Sequence, residues 1–528
     1  MKRSTVEYSN ATETIPNVAE EVVLDDRNNK NAKEAGAQSS APYLCNEELD
    51  DNKVVSTAFP GALEHERDSL AHIPFKRQTH RFRTELEPED VRLVNELGQL
   101  SADQLMEYLR RIKDMACALG QAQAMHRNLF QTVGRLVCGR RLSSKAAAKK
   151  TCLYDFHNEN GAKFVEFAGF SMPVQYRDMS IPKSTLHTRN HVSIFDVSHM
   201  LQTEIHGKDG IAFLESLIPA DLEGMEENHA CLSVFTNEKG GIKDDLVVAK
   251  TSEGFLYLVS NANCTEKDLN HLQSNANEWR KKGKDVEIKE ISNCGLIAVQ
   301  GPEAKYLLEP EIDIDLSQLY FMQTATAKVF GVSDCRITRC GYTGEDGFEI
   351  RFPARDAAEL LNRIMSFHRV SARMAGLGAR DVLRLEAGLC LYGNDITDDT
   401  TPIEAGLNFV VAKRRRETLG FPGAEQIVQQ IKEKKMPKKR VGLVSTEGRP
   451  PRSKLPISDP KDKAAVGFVT SGCPSPTLNK NIAMGYVDFQ DAKVGKELLV
   501  DFGSKAVTVT VEKLPFHPTN YYMKPKSN

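Results

Sequence analysis

From about residue 151 onward the apolar positions fall in short runs between Gly, Pro and Ser breaks. Examples are Phe167-Ala168-Gly169-Phe170-Ser171-Met172-Pro173 and Val192-Ser193-Ile194-Phe195-Asp196-Val197. Short apolar runs bounded by turn formers read as strands. Phe255–Val259 reads as a strand ending on Ser260-Asn261-Ala262-Asn263, and Leu296–Gln300 as another ahead of Gly301-Pro302. Helical spacing predicts helices over Gly210–Leu217, over residues 264–282, and over residues 354–368 after Pro353. The elements do not alternate strand and helix regularly, so the class is α+β. Beyond residue 440 the pattern is all strand: Val441–Val444, Ala465–Thr470, Ala483–Val487, Glu497–Val500 and Ala506–Val511. Gly472–Pro476 and Val494–Lys496 are read as turns between them. That spacing predicts a small β-barrel or jelly roll.

The first part of the chain reads differently. Residues 1–83 are polar and poor in aromatics, a composition that predicts disorder. Residues 84–124 read as a helical hairpin. Pro88 sits near a helix start, Val91, Leu93, Val94 and Leu97 follow, and Gly98 stops the run. Ser101-x-x-Gln104 is a capping box for a helix carrying Leu105, Leu109, Ile112, Ala116 and Leu119. Two short helices cannot bury that stripe alone, so a partner is expected. The stretch from Thr84 to Gly120 is similar to the small helical subunit of the MuvB core of the DREAM transcription-repressor complex. That resemblance implies a nuclear complex for this segment. Residues 125–150 lack Asp and Glu and interleave Arg, hydroxyl and apolar residues, as a mitochondrial transit peptide does. Arg140-Arg141-Leu142-Ser143-Ser144 resembles a matrix-processing site. The expectation is that Met125 starts the precursor and that the preceding residues come from a neighbouring reading frame; a true bifunctional fusion is the alternative.

Composition narrows the function. At 528 residues the chain is long enough for three or four domains, and its net charge of −3 argues against binding nucleic acid by bulk charge. Its 11 cysteines form no Cys-x-x-Cys and no metal-ligand spacing, which reads as reduced thiols. Cys335 and Cys340 are expected to straddle a strand and its following loop. No apolar run approaches the roughly 20 residues of a membrane helix, so no membrane partner is expected. There is no Gly-x-Gly-x-x-Gly at a strand–helix junction and no P-loop.

Three motifs carry chemistry. Arg339-Cys340-Gly341-Tyr342-Thr343-Gly344-Glu345-Asp346-Gly347-Phe348-Glu349-Ile350 is a glycine-bearing loop that runs into an apolar strand. Glycines let backbone approach a flat ligand, and a carboxylate on that strand can accept two adjacent N–H donors. Upstream stands Gly240-Gly241-Ile242-Lys243-Asp244-Asp245-Leu246-Val247-Val248; downstream stands Ala379-Arg380-Asp381-Val382-Leu383-Arg384-Leu385-Glu386-Ala387-Gly388. With the ending Pro515-Phe516-His517-Pro518-Thr519-Asn520-Tyr521-Tyr522, these resemble the aminomethyltransferase, or T-protein, family of the glycine cleavage system.

The resemblance runs from about residue 151 to the end. It implies a multidomain α+β folate-binding region over 151–425 and a β-barrel or jelly-roll domain over 426–528. The family moves a one-carbon unit from the aminomethyl-lipoyl arm of a carrier H-protein to tetrahydrofolate in the mitochondrial matrix, releasing ammonia. No metal is required, and no nucleophilic Cys either. By resemblance Asp245 takes the catalytic role, while strand alternation sends Asp244 to the opposite face. Glu349 would hold the pterin N–H donors. Arg380 would pair with a carboxylate of the folate glutamate, its competing role being an internal ion pair with Asp381 or Glu386. Tyr521 would close over the folate, and Met200, Tyr257 and Tyr342 would line the cavity. Ser198 and His199 have no acid partner or elbow motif, so a hydrolase triad is rejected. Asp178–Ser184 is read as a loop affecting carrier docking. Lys413–Arg416 and Lys438–Arg440 are read as a linker's solvated surface, or as a dock for an acidic partner or a folate polyglutamate tail. Two other readings are the folate half of a dimethylglycine or sarcosine dehydrogenase, which would bring a flavin domain not seen here, and a non-catalytic folate-binding protein of the iron–sulfur assembly type.

Overall fold

The computed structural model describes residues 147–503 and 505–525. The disordered segment, the MuvB-like hairpin and nearly all of the transit-peptide-like segment expected over 1–150 lie outside the described residues.

Two sheets face each other. The first is five-stranded and antiparallel, in the order His229–Thr236, Ile242–Lys250, Leu256–Ser260, Leu201–His206, Glu287–Glu290. The second is six-stranded: Thr324–Val329, Val332–Thr338, Gly347–Pro353, Cys294–Gln300, Val192–Asp196, Ala372–Ala375, with only the last pair parallel. Every residue of Val192–Asp196 is buried, as suits a strand covered on both faces. Ala249, Tyr257 and Val259 of the first sheet share one apolar cluster with Phe195, Leu296 and Ala298 of the second. The space between the sheets is therefore part core and part cavity.

Strand alternation divides Ile242–Lys250 between two environments. Leu246 and Val248 pack outward with Leu272 and Ala276 of the helix Thr265–Lys281. Val247 and Ala249 face inward to the second sheet. The hydrophobic stripe of that helix explains why residues 264–282 read as helical in sequence.

The C-terminal strands close into a barrel, ordered Lys438–Ser445, Lys480–Asp488, Ala465–Ser475, Pro456–Ser458, Glu497–Asp501, Ala506–Glu512. Along Ala506–Glu512 Val507, Val509 and Val511 are the buried positions, and Val509 and Val511 join the barrel core, the alternation that a small closed barrel requires. Among the described residues no helix is long and apolar enough to cross a membrane, and the cysteines are free.

Several expectations change. Asp178–Ser184 is not all loop: a helix begins at Ile181 and runs to Asn190, with Pro182 in its first turn where the missing N–H costs nothing. Gly472–Ser475 is strand, pairing with Ala483 to Lys480; Gly472 is needed because an added Cβ would come within 2.2 Å of the Pro451 carbonyl oxygen. Lys413–Arg416 is not a solvated linker but the start of a helix, Lys413–Thr418, in which Arg414 binds Asp221 (2.7 Å) and Glu223 (3.3 Å) while Arg415 binds Glu215 (3.4 Å). Lys438–Arg440 opens the first barrel strand, and Arg440 donates inward to the carbonyls of Ala405 and Gly388. The boundary expected at 425/426 falls inside the helix Ala424–Glu433, whose Ile427 packs with Val234 and Ile242 of the region before it.

Candidate active site

The inner cavity lies between the two sheets, lined by Val247, Ala249, Tyr257, Val259, Leu296, Arg336, Thr338, Cys340 and Glu349. It is narrow, about 10 Å³. A second, wider cleft of about 740 Å³ carries Met200, with His199, Gln202, Asn263, Cys152 and Cys294 among its walls.

Asp245 stands on the inward face of its strand. Asn261, the first residue after the neighbouring strand, donates Nδ2–H to Asp245 Oδ1 at 2.8 Å and to Asp244 Oδ1 at 3.0 Å. Its backbone N–H donates to Asp244 Oδ2 at 3.0 Å. One asparagine thus holds both carboxyl groups. Asp244 is wholly buried on the other face, beside the buried Asp268 of the helix behind. Burial, and then the neighbouring carboxylates, push Asp244 up to about 9. The shift favours the protonated form of Asp244 beside Asp268, whose Oδ2 has no hydrogen-bond partner among the described residues. Burial pushes Asp245 up to about 6, with Asn261 opposing it, so this carboxyl titrates near neutrality.

Glu349 projects from the strand opposite Ala298 and Thr338. Burial raises its carboxyl, against the charge of Arg380 and a hydrogen bond with the Cys340 thiol. Arg380, on the helix Leu377–Glu386, lies over the Tyr342 ring at 4.8 Å, and its Nη1 is buried without a partner among the described residues. The expected competitor ion pairs do not form. Asp381 binds Arg384 at 2.8 Å and Glu386 binds Arg189 at 2.7 Å, leaving Arg380 facing Glu349 and Tyr342.

Tyr342 donates its hydroxyl to the Cys390 carbonyl, and Asp245 and Arg380 both act on it electrostatically. Tyr257 is buried, its hydroxyl tied to Gln202 Oε1 at 2.7 Å. Met200 borders the wider cleft rather than the inner cavity. Tyr521 lines neither; its ring stacks on Phe321 at 4.2 Å, near Cys340 and Glu345. Sequence reading missed Asn261, which looked like a turn residue because strand register is invisible in the sequence. It also missed His199 as a site residue. That side chain is buried against Phe167 and Phe170, its Nδ1 lacks a partner among the described residues, and burial lowers it to about 4. Among the described residues no group of three or more His, Cys, Asp or Glu is arranged for a metal ion.

Comparisons with known proteins agree with this architecture. The family model of the GCVT N-terminal domain matches residues 153–415, and that of the glycine cleavage T-protein C-terminal barrel domain matches residues 438–517. The mitochondrial aminomethyltransferase of Mus musculus is 51% identical over 388 residues, covering 73% of this chain and 94% of that protein. Its Homo sapiens counterpart is 52% identical over 374 residues, 71% of this chain and 91% of that protein. The crystal structure of the glycine cleavage system aminomethyltransferase T from Bartonella henselae superposes with a TM-score of 0.65 at 36% identity, covering 71% of this chain and 99% of its own. No such match supports a repressor-complex subunit. From the two facing sheets to the barrel, the chain belongs to the aminomethyltransferase family, the T-proteins of the glycine cleavage system.

Proposed function

We propose that this aminomethyltransferase takes its one-carbon unit from the aminomethyl-lipoyl arm of an H-protein and passes it to tetrahydrofolate, giving 5,10-methylene-tetrahydrofolate and ammonia. The observation that carries this reading is the pair formed by Glu349 and Arg380. Among the described residues no N–H donates to the Glu349 carboxylate, and Arg380 Nη1 is buried without an acceptor. Leaving the Arg380 donor unsatisfied costs free energy unless a ligand completes it. A pterin edge does so: Glu349 accepts its two adjacent N–H donors, and Arg380 donates to the neighbouring ring carbonyl. Tetrahydrofolate supplies the two nitrogens that take up the carbon.

Asp245 handles the proton. Two N–H protons leave the folate; one goes to the departing amine and one to the lipoyl sulfur, so the overall balance is zero. A carboxyl near its titration midpoint at neutral pH can accept and return such a proton. Asn261 fixes the orientation of that carboxyl. Tyr342 and Tyr257 bound the space for the ligand ring, Tyr521 covers it from the tail, and Met200 stands at the wider cleft through which a reactant can approach.

Glu349→Gln keeps the shape but replaces one acceptor oxygen by a donor. The KM for tetrahydrofolate is expected to rise about 30- to 100-fold, the effect of one misplaced buried polar group. Steady-state kinetics with varied folate test this; an unchanged KM would remove Glu349 from pterin binding.

The relatives named as mitochondrial, together with the acid-free residues 125–150, support a matrix location. Translation from Met125 followed by processing near Leu142 predicts a mature terminus between about residues 142 and 151. Mass spectrometry of the endogenous protein checks this: recovery of the tryptic peptide Asp114–Arg127 together with enzyme peptides would show a fused chain instead.

A further inference from the structure

The segments carrying Tyr342, Arg380 and Tyr521 are far apart in sequence, yet one buried side chain joins all three. Arg189, in the last turn of the helix Ile181–Asn190, has a side chain only 5% exposed. Its Nη1 donates to Glu345 Oε1 at 2.8 Å and to the Thr343 carbonyl at 2.7 Å, in the loop of Tyr342. Its Nη2 and Nε donate to Glu386 Oε2 at 2.7 and 3.1 Å, at the end of the helix of Arg380.

Both glutamates then reach onward. Glu345 Oε2 accepts from Asn520 Nδ2 at 2.8 Å, and the Asn520 N–H donates to the Gly344 carbonyl at 2.8 Å. Glu386 Oε1 accepts from Ser475 of the barrel at 2.6 Å, and its backbone carbonyl accepts from His517 N–H at 2.9 Å. One cation stands between two buried carboxylates, so the neutral donors of Ser475, Thr477 and Asn520 are needed to satisfy the second negative charge. Gly344 allows the closeness: its φ is +82°, and an added Cβ would lie 2.9 Å from Ala387 Cβ. None of these groups takes part in the proton chemistry.

We propose that Arg189, Glu345 and Asn520 form a positioning chain that sets Tyr521 against the folate site. The inference rests on the reading of Tyr521 as the residue that covers the folate. Asn520 is its last link, held at both its backbone and its side chain, directly before Tyr521. Arg189 sets the loop, Glu345 passes that setting to Asn520, and the tail cannot shift without breaking both bonds.

A donor–acceptor swap tests it. Asn520→Asp puts a carboxylate against Glu345 and keeps the shape. Tetrahydrofolate binding by calorimetry is expected to weaken about ten-fold, with kcat at saturating folate unchanged within about two-fold. Hydrogen exchange of the tail peptide 513–525 is expected to speed up. Adding Glu345→Gln reverses the polarity of the bond, since the new amide donates to the new carboxylate, and both readouts are expected to recover. Asn520→Ser removes the amide without adding charge and serves if the Asp variant melts early. Tyr521→Ala separates the two levels. If it weakens folate binding while Asn520→Asp and Asn520→Ser do not, the chain does not position the tyrosine. If Tyr521→Ala itself leaves binding unchanged, the reading of Tyr521 is wrong and the positioning role goes with it.

Discussion

Asp245→Ala is expected to lower the rate of methylene-tetrahydrofolate formation by about 10³-fold, the middle of the range for a lost acid–base group. Folding should survive. The Asp245 carboxyl accepts from Asn261 Nδ2, which also binds Asp244 and so keeps a partner. The pH dependence adds a second check. Asp245 titrates at about 6 in the folded chain, above the value of about 4 for an unfolded Asp. The active ionised form is lost as pH falls through 6, so kcat/KM should show an acidic limb near that value. Stability has the opposite sign. The folded state binds this proton more tightly than the unfolded chain does. The Asp245 contribution to stability is therefore fully present below about pH 4 and is lost as pH rises through 6. Asp245→Asn, which cannot ionise, should then be as stable as the parent or more so at neutral pH while remaining inactive. Full activity in either variant would end the proposed mechanism.

The parts legible in sequence were those set by local periodicity. The helix over 264–282 and the strand over Leu296–Gln300 appear with ends shifted by a residue or two, because an amphipathic stripe and an unbroken apolar run each fix their element. The barrel was legible because strand alternation survives in each short segment. Asp245 and Glu349 were singled out through motifs, and they stand on strands of the two facing sheets. What was not legible depends on partners distant in sequence. The basic run at Lys413 looked solvated because Glu215 and Asp221 stand about 200 residues away. The ion pairs that competed for Arg380, with Asp381 or Glu386, could not be decided from neighbours on the same helix. Only the fold shows that Arg384 takes Asp381 and Arg189 takes Glu386. Asn261 lies outside the three motifs and Asn520 inside the C-terminal one, yet the contacts of both are set by which backbone lies beside them.

Arg384→Met is expected to be the most destabilising single change, by about 3–5 kcal/mol. The guanidinium is 2% exposed and links the helix of Arg380 to the barrel. It donates to Asp395 Oδ2 at 2.6 Å, Asp381 Oδ1 at 2.8 Å and Ser471 Oγ at 2.9 Å. Methionine fills most of the volume but supplies no charge. Asp395, with a side chain fully buried, keeps the Thr470 hydroxyl and the Leu391 N–H as donors and loses its counter-charge. Arg384→Met combined with Asp395→Asn should regain much of the loss, because the stranded charge is gone, whereas a defect of packing alone would persist in the double variant. Urea unfolding of the parent, the single variants and the double variant separates the two causes. A single-variant loss that Asp395→Asn does not relieve would assign the role of Arg384 to shape rather than charge.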